Sequence, residues 1–412
     1  MIALICIFIL AILFLSFLVI LEQIDFAQVK AQQQQPAIIK QINNCIRYNV
    51  LQRSIIISCK SATLTDVFNQ LNNPSILNKQ PQGVWLLNAN MTIQPGASLT
   101  IDPKDTTWLK IMADEKTLAY GIHIMGALKI DSVKVTSWNP QTNNYAMSYG
   151  YREKGNDLTT ACGYYSCPIN VKDTLTHKGA PRPYLIIEHN ATGTTNITNS
   201  YIGYLGYEAG WSKSAQGLHY NAGDGSVIRN NDIDHLYFGF YSRGVSNILI
   251  ENNQIHNSGQ YGIDPHTGTH DMVIRNNTVY NNNGTAIICS LDCYRILFDG
   301  NNVHDNKGIG IHFSRNTTNS IAKNNKLNNQ ETPIELSSSN NNEVYNNEIS
   351  KTTATPGITL KDGASGNKIH DNTFANIRIG ILIHKTSINN SIYSNKISNI
   401  NQQPMEIIKS KE

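Results

Sequence analysis

Asn247-Ile248-Leu249-Ile250-Glu251-Asn252-Asn253-Gln254-Ile255 alternates apolar with polar residues around an Asn-Asn pair. Alternation with period two marks a half-buried strand, and Asn tolerates the left-handed backbone of a sharp corner. The pair returns as Asn230-Asn231, Asn252-Asn253, Asn276-Asn277, Asn301-Asn302, Asn324-Asn325, Asn346-Asn347, Asp371-Asn372 and Ser394-Asn395, at gaps of 22, 24, 25, 23, 22, 25 and 23 residues. An apolar residue recurs in phase with it: Phe240, Ile263, Ile287, Ile311, Ile334, Ile358 and Ile381. Two marks that share one period indicate a solenoid. Helical spacing and the pattern of a leucine-rich repeat are both missing from these repeats, while β-branched residues abound. The pattern predicts an all-β chain, a right-handed parallel β-helix with coils of 22–25 residues stacked about 4.8 Å apart. Stacked Asn side chains are expected to form hydrogen-bonded ladders. Equivalent outer positions then form columns, and a groove along them suits a linear polymer.

At 412 residues length alone would allow two domains, but a solenoid grows coil by coil. The net charge is only +3, and no basic cluster is dense enough for nucleic acid. A monomer is expected. Ile2 to Leu21 is an uncharged run of 20 residues, long enough to span a bilayer. No Lys or Arg precedes it, so a cleaved signal peptide and an uncleaved membrane anchor both stay open. Residues 1–36 therefore read as a membrane signal or anchor with a Gln-rich spacer, and 37–138 as irregular first coils. Residues 139–183 read as a Tyr-rich insertion that walls or lids the groove, 184–400 as the regular coils, and 401–412 as a tail. Outside the apolar run the cysteines fall into three local groups, read as the disulfides Cys45–Cys59, Cys162–Cys167 and Cys289–Cys293. Neither close pair has the spacing of structural zinc, and with the membrane signal they point to an extracellular, cell-surface or periplasmic protein.

One coil differs from the rest: Tyr261-Gly262-Ile263-Asp264-Pro265-His266-Thr267-Gly268-Thr269-His270. With the coils aligned on the apolar mark, the next column reads Tyr241, Asp264, Ile288, His312, Glu335, Thr359 and Leu382. The column at plus three reads Arg243, His266, Ser290, Ser314, Ser337, Lys361 and His384, and Arg315 and Lys385 lie at plus four. Repeat proteins place function where the repeat breaks, although Asp-Pro is also a common structural corner. Asp264, His266 and His270 do not make a convincing metal set, and neither metal nor cofactor is expected.

Tyr261-Gly262-Ile263-Asp264-Pro265-His266 resembles the signature of the mannuronan C5-epimerases of the alginate-exporting periplasmic type, also right-handed β-helices. Lys213-Ser214-Ala215-Gln216-Gly217-Leu218, Tyr237-Phe238-Gly239-Phe240-Tyr241, Asn247 to Asn253 and Gly310-Ile311-His312-Phe313-Ser314-Arg315 resemble further segments of that family, in order. Two positions depart from it. The family has Asp after the motif His, where this chain has Thr267. The family's carboxylate-neutralising Arg aligns with Leu291, after Ser290, and Arg295, Arg315 or Arg243 stand near enough to replace it.

The resemblance implies inversion at C5 of a mannuronate residue inside a polymer. That step needs a base, a cation for the carboxylate and a donor on the opposite face. His266 is the expected base and Arg315 the expected cation. Asp264 would orient His266 or the sugar, and Tyr261 or a water would return the proton. Lys213, Arg243, Arg295, His270, His312 and Lys361 complete the set expected to bind an anionic polysaccharide. A polyuronate lyase shares the first proton abstraction, and a non-catalytic carbohydrate-binding β-helix of the cell surface would tolerate both departures. A glycoside hydrolase is the weaker alternative, since no acidic pair stands out in the site columns.

Overall fold

The structure, a computed structural model, describes residues 45–113, 119–147, 182–207, 215–398 and 403–408. The apolar run 2–21, Lys213, the Cys162 and Cys167 pair and most of the insertion lie outside these residues. Among the described residues no helix is long and apolar enough to cross a membrane.

The chain winds into a parallel β-solenoid. One coil runs Leu249–Glu251, Gln254–His256 and Ile263–His266, and the next repeats it as Val273–Arg275, Thr278–Tyr280 and Ile287–Ser290. Each strand pairs in parallel with its counterpart one coil on, for example Ile250 with Ile274, Ile255 with Val279 and Ile263 with Ile287. Three sheets result, called here third, second and front in the order of the strands just given. The third sheet counts 11 strands. The second and front sheets are joined where Glu348–Lys361 and Thr373–His384 pass through the corner as continuous strands.

The Asn marks make the corner between the third and second sheets. Their first residues take the left-handed conformation, with φ of 56° at Asn230 and Asn252, 54° at Asn276 and 52° at Asn346. Their second residues turn inward and form a ladder. Asn277 Nδ2 donates to Asn301 Oδ1 at 3.0 Å and to the Ile250 carbonyl at 3.0 Å, and its Oδ1 accepts from the Asn253 backbone N–H and side chain. The same bonds recur from Asn231 to Asn395. One mark slips by a residue. In the fourth coil of the series the left-handed residue is Gly300 (φ 67°) and the ladder residue is Asn301, so Asn302 already belongs to the next strand. Two further corners turn on left-handed residues as well: Asn257, Asn281, Asp305 and Asn329 at one, Asn247, Asp271, Arg295 and Asn319 at the other.

A buried amide that loses its partner costs about 1–3 kcal/mol. Asn277→Ala strips partners from the Asn253 amide, the Ile250 carbonyl and Asn301 at once. It should lower stability by roughly 3 kcal/mol, read as a shifted denaturant midpoint. Asn276→Ala, at an exposed corner residue, should cost less, about 1–2 kcal/mol for forcing Ala into a left-handed turn. Equal costs for the two would contradict the ladder as the stabilising element.

Phe240, Ile263, Ile287, Ile311, Ile334, Ile358 and Ile381 are consecutive register partners in the front sheet. All are at most 1% exposed, so they form the inward ladder that their phase predicted. The next residue of each strand faces outward, and this column reaches back beyond the regular repeats: Thr92, His123, Ile186, His219, Tyr241 and Asp264 are register partners in turn.

The first coils hold an element that the period-two reading did not reach. Ile46–Asn49 and Ser54–Ile57 pair antiparallel, and helix α1 (Leu64–Leu71) follows. Thr63 and Asp66 close a capping box at its start, Asn72 ends it in the left-handed conformation, and Leu64 and Val67 are buried.

The cysteines divide. Cys45 and Cys59 are bridged, with Cα atoms 4.9 Å apart. Cys289 and Cys293 are not, which corrects the expected pairing. Both are fully buried thiols, and Cys293 Sγ donates to the Pro265 and Ser290 carbonyls, each at 3.4 Å. Burial pushes the Cys289 thiol well above its usual range, which withholds the thiolate that disulfide formation needs. In native protein both should resist alkylation and react only after unfolding, while a Cys45–Cys59 peptide stays linked until reduction. A linked Cys289–Cys293 peptide from native material would overturn this assignment.

Candidate active site

The interrupted coil lies in the middle of the front sheet. Pro265 supplies no N–H, and between Ile263–His266 and Ile287–Ser290 the register pairs run through Ile263 with Ile287 and His266 with Ser290. Alternation along the strand sends Ile263 and Pro265 inward and Asp264 and His266 toward the outer columns. Asp264 is nevertheless only 2% exposed, and its Oδ1 has no hydrogen-bond partner. Burial raises its carboxyl well above the usual range, against the pull of Arg315.

His266 is partly exposed. Its Nδ1 lies 2.5 Å from Thr267 Oγ1, and Arg315 Nη2 approaches its Nε2 at 3.3 Å. A guanidinium can only donate, so Nε2 presents its lone pair to Arg315 and Nδ1 carries the proton toward Thr267. Arg315 thus sets the tautomer, and Thr267, one of the two departures from the epimerase pattern, accepts from the Nδ1–H. Burial, then Arg315, then Arg243, holds the imidazole down to about 4.

Arg315 comes from two coils further along. Its backbone is left-handed (φ 48°), and Nε donates to Ser290 Oγ at 3.1 Å, as does Nη2. Ser290 therefore guides the side chain back across one coil to His266. Leu291, at the position of the missing Arg, is also left-handed (φ 67°). Arg243 is the register partner of His266 on the other side and is exposed.

A family model described as a right-handed β-helix region matches residues 185–349 and 314–412, more than half of the chain. The chain belongs to the right-handed β-helix family. No curated protein sequence matches it. Among solved structures, the β-helix is similar to the periplasmic alginate epimerase AlgG, with a TM-score of 0.67 and 18% identity over 86% of this chain and 85% of that one. It is also similar to the A-module of the Azotobacter vinelandii mannuronan C-5 epimerase AlgE4, with a TM-score of 0.52 and 14% identity over 80% of this chain and 89% of that one. At these identities the shared property is the fold.

Other residues read from the repeats fall at two other places in this β-helix. His270 and Arg295 sit at the corner into the third sheet. His270 bonds Asp271 at 2.7 Å and stacks on Tyr294, and Arg295 forks onto Asp271 at 2.6 and 2.5 Å. The structure brings neither to His266. His312 and Lys361 lie on the front sheet and converge on Glu335, at 3.2 and 3.0 Å, with His312 Nε2 also 2.7 Å from Ser337 Oγ. Tyr261 packs its ring against Phe238, with centroids 5.3 Å apart.

Sequence reasoning missed a second buried imidazole in the Asp264 column. His219 is 4% exposed, held by Gln216 at 2.6 Å and Asn221 at 2.9 Å, and packs edge-on against Tyr241 at 4.7 Å. Tyr241 in turn lies 5.5 Å from the His266 ring. Burial drives His219 down to about 4 and, with Asp264 adding, drives the Tyr241 phenol up. Its column extends upstream of the Asn marks, so counting from those marks could not find it. Among the described residues no cluster of three His, Cys, Asp or Glu could hold a metal ion.

Proposed function

We propose that this β-helix is an exported polysaccharide-modifying enzyme that inverts C5 of mannuronate-type residues in an anionic polymer. The observation that carries the reading is the uncharged His266 imidazole whose Nε2 lone pair faces the Arg315 guanidinium at 3.3 Å. A base beside a fixed cation is what abstraction of a proton next to a carboxylate requires.

A uronate lying across the front sheet would place its carboxylate on Arg315. As the substrate carboxylate draws Arg315 off Nε2, the freed His266 lone pair takes the C5 proton, and the C–H electron pair moves into the carboxylate as an enolate. Burial, which raises the Asp264 carboxyl, favours an O–H donor there over a second negative charge. A proton then returns to the opposite face of C5 from the Tyr261 hydroxyl or a water, and solvent carries the proton of His266 back to that donor. Arg243 and Lys361 on the same sheet would hold neighbouring units of the polymer. The Cys45–Cys59 bridge fits an oxidising compartment outside the cytoplasm.

The test is incubation with polymannuronate in deuterated water. Deuterium at C5 without chain cleavage supports epimerisation. Ultraviolet absorbance of an unsaturated uronate would make the protein a lyase. Binding with neither would leave a carbohydrate-binding β-helix.

The pH profile carries a second test. The imidazole of His266 lies at about 4 in the fold, below its ordinary 6.5. A depressed imidazole stays uncharged through that window, so the base form persists as pH falls. The stability it contributes is complete above about 6.5 and is lost as pH falls toward 4. The kcat/KM of the exchange should stay level from pH 7 to about 5. A break at the ordinary histidine value would refute His266 as the base in this environment.

A further inference from the structure

The column that holds Asp264 begins at a depression of about 450 Å3 on the first coils of the front sheet. Gln52, Asn90, Gln94, His123, Glu188 and Asn190 are among the residues that line it. Thr92 and His123 stand in its floor, and Ile186, His219, Tyr241 and Asp264 follow as register partners. Four coil steps separate His123 from Asp264, about 19 Å at ordinary strand spacing. The unit step of a 1,4-linked pyranose chain is close to that spacing, so a polymer with one unit on His266 would lay another in this depression, about four units away.

The two ends of this path differ in charge. Around His266 stand the guanidinium groups of Arg315 and Arg243. Among the described residues no Lys or Arg lines the depression, and its imidazole and carboxylate are bonded to each other, His123 Nδ1 to Glu188 Oε1 at 2.7 Å. The rest of the lining is amide, hydroxyl, thioether and the Ile56 side chain, with Ser54 and Thr92 joined at 2.9 Å and Asn90 Oδ1 accepting from the Gly121 N–H at 2.8 Å. A uronate carboxylate seated here would meet the Glu188 carboxylate with no Lys or Arg among the described lining residues to offset it. The hydroxyls of an uncharged sugar would find amide donors and acceptors, together with a carboxylate that can accept from two of them.

We propose that this depression is a subsite for a neutral sugar, so that the polymer worked on is a heteropolysaccharide with an uncharged unit about four positions from the reacting uronate. The proposal rests on the reading of the His266 groove as a uronate site. It also answers what that reading leaves open, namely which polymer the groove takes.

The experiment is calorimetric titration of the full chain with β-1,4-mannohexaose, the uncharged counterpart of a mannuronate hexamer, and with the mannuronate hexamer itself. Wild-type protein should bind mannohexaose saturably. Gln94→Ala and Glu188→Gln, both at partly exposed positions, should each weaken it about tenfold. Glu188→Lys should weaken mannohexaose and tighten the mannuronate hexamer, by about tenfold each. Absence of saturable mannohexaose binding, or binding that none of the three variants changes, would overturn the subsite. Deuterium incorporation into polymannuronate is a separate readout. Mannohexaose binding that obeys these variants, with no exchange even in Glu188→Lys, would retain the subsite and remove the epimerase reading. Exchange without mannohexaose binding would do the reverse.

Discussion

His266→Ala should abolish C5 proton exchange, with a loss of about 10²- to 10⁴-fold, while the β-helix stays folded. The size follows from the role: the Ser290 and Thr267 hydroxyls that stand beside the imidazole and its guanidinium are far weaker bases. Folding should survive because His266 stands on an outer column and not on the Phe240 to Ile381 ladder, so truncation opens no core cavity. The measurement pairs nuclear magnetic resonance of deuterium uptake with the thermal midpoint of unfolding. Wild-type exchange in a folded His266 variant would remove His266 from the mechanism. A collapsed midpoint would show that the residue holds the fold, contrary to its position.

Arg315→Ala should slow the same exchange by about 10²- to 10³-fold, the range seen when a donor to developing negative charge is removed. The carboxylate is already anionic before the proton leaves, and the enolate adds to that charge. Arg315→Lys should recover only part of the rate, since an ammonium cannot reproduce the fork that engages Ser290 while facing His266. Arg295→Ala is the control. Arg295 is already forked onto Asp271 at another corner, so its loss should leave exchange near wild type. A larger loss at Arg295 than at Arg315 would reverse the assignment of the replacement cation.

The regular coils were legible because their signals are local. A left-handed Asn and an inward amide must occur in every turn, so Asn252-Asn253 and its repeats announce both corner and ladder. The slip at Gly300-Asn301 arose because Gly serves the left-handed position as well as Asn does, and a mark defined by Asn alone moves one residue on. The Asp264 and His266 columns were countable for the same reason, and they held in the fold. What was not legible depends on contacts across coils. That Arg315 reaches His266 while Arg295 turns to Asp271 is decided by side-chain direction at two similar-looking corners. The free state of Cys289 and Cys293 is set by burial and by the Pro265 carbonyl, neither visible in their spacing. Helix α1 left a trace, the Thr63 and Asp66 capping pair and the apolar face of Leu64, Val67, Phe68 and Leu71, but it stands outside the repeat.

The Asn ladder joins each coil to the next by the same bonds, whichever two coils are joined. A genetic event that adds or removes one whole coil therefore leaves no scar in the ladder. Beyond Arg315, duplication of a unit such as Asn325 to Asn346 would lengthen the front sheet by one strand and the groove by about one sugar. Between His266 and Arg315 the same event would separate the imidazole from its guanidinium and end the chemistry without unfolding the chain. Copy number is thus free to drift on one side of the site and frozen within it, so that groove length can change by unequal exchange between repeats while the active site changes only by point substitution.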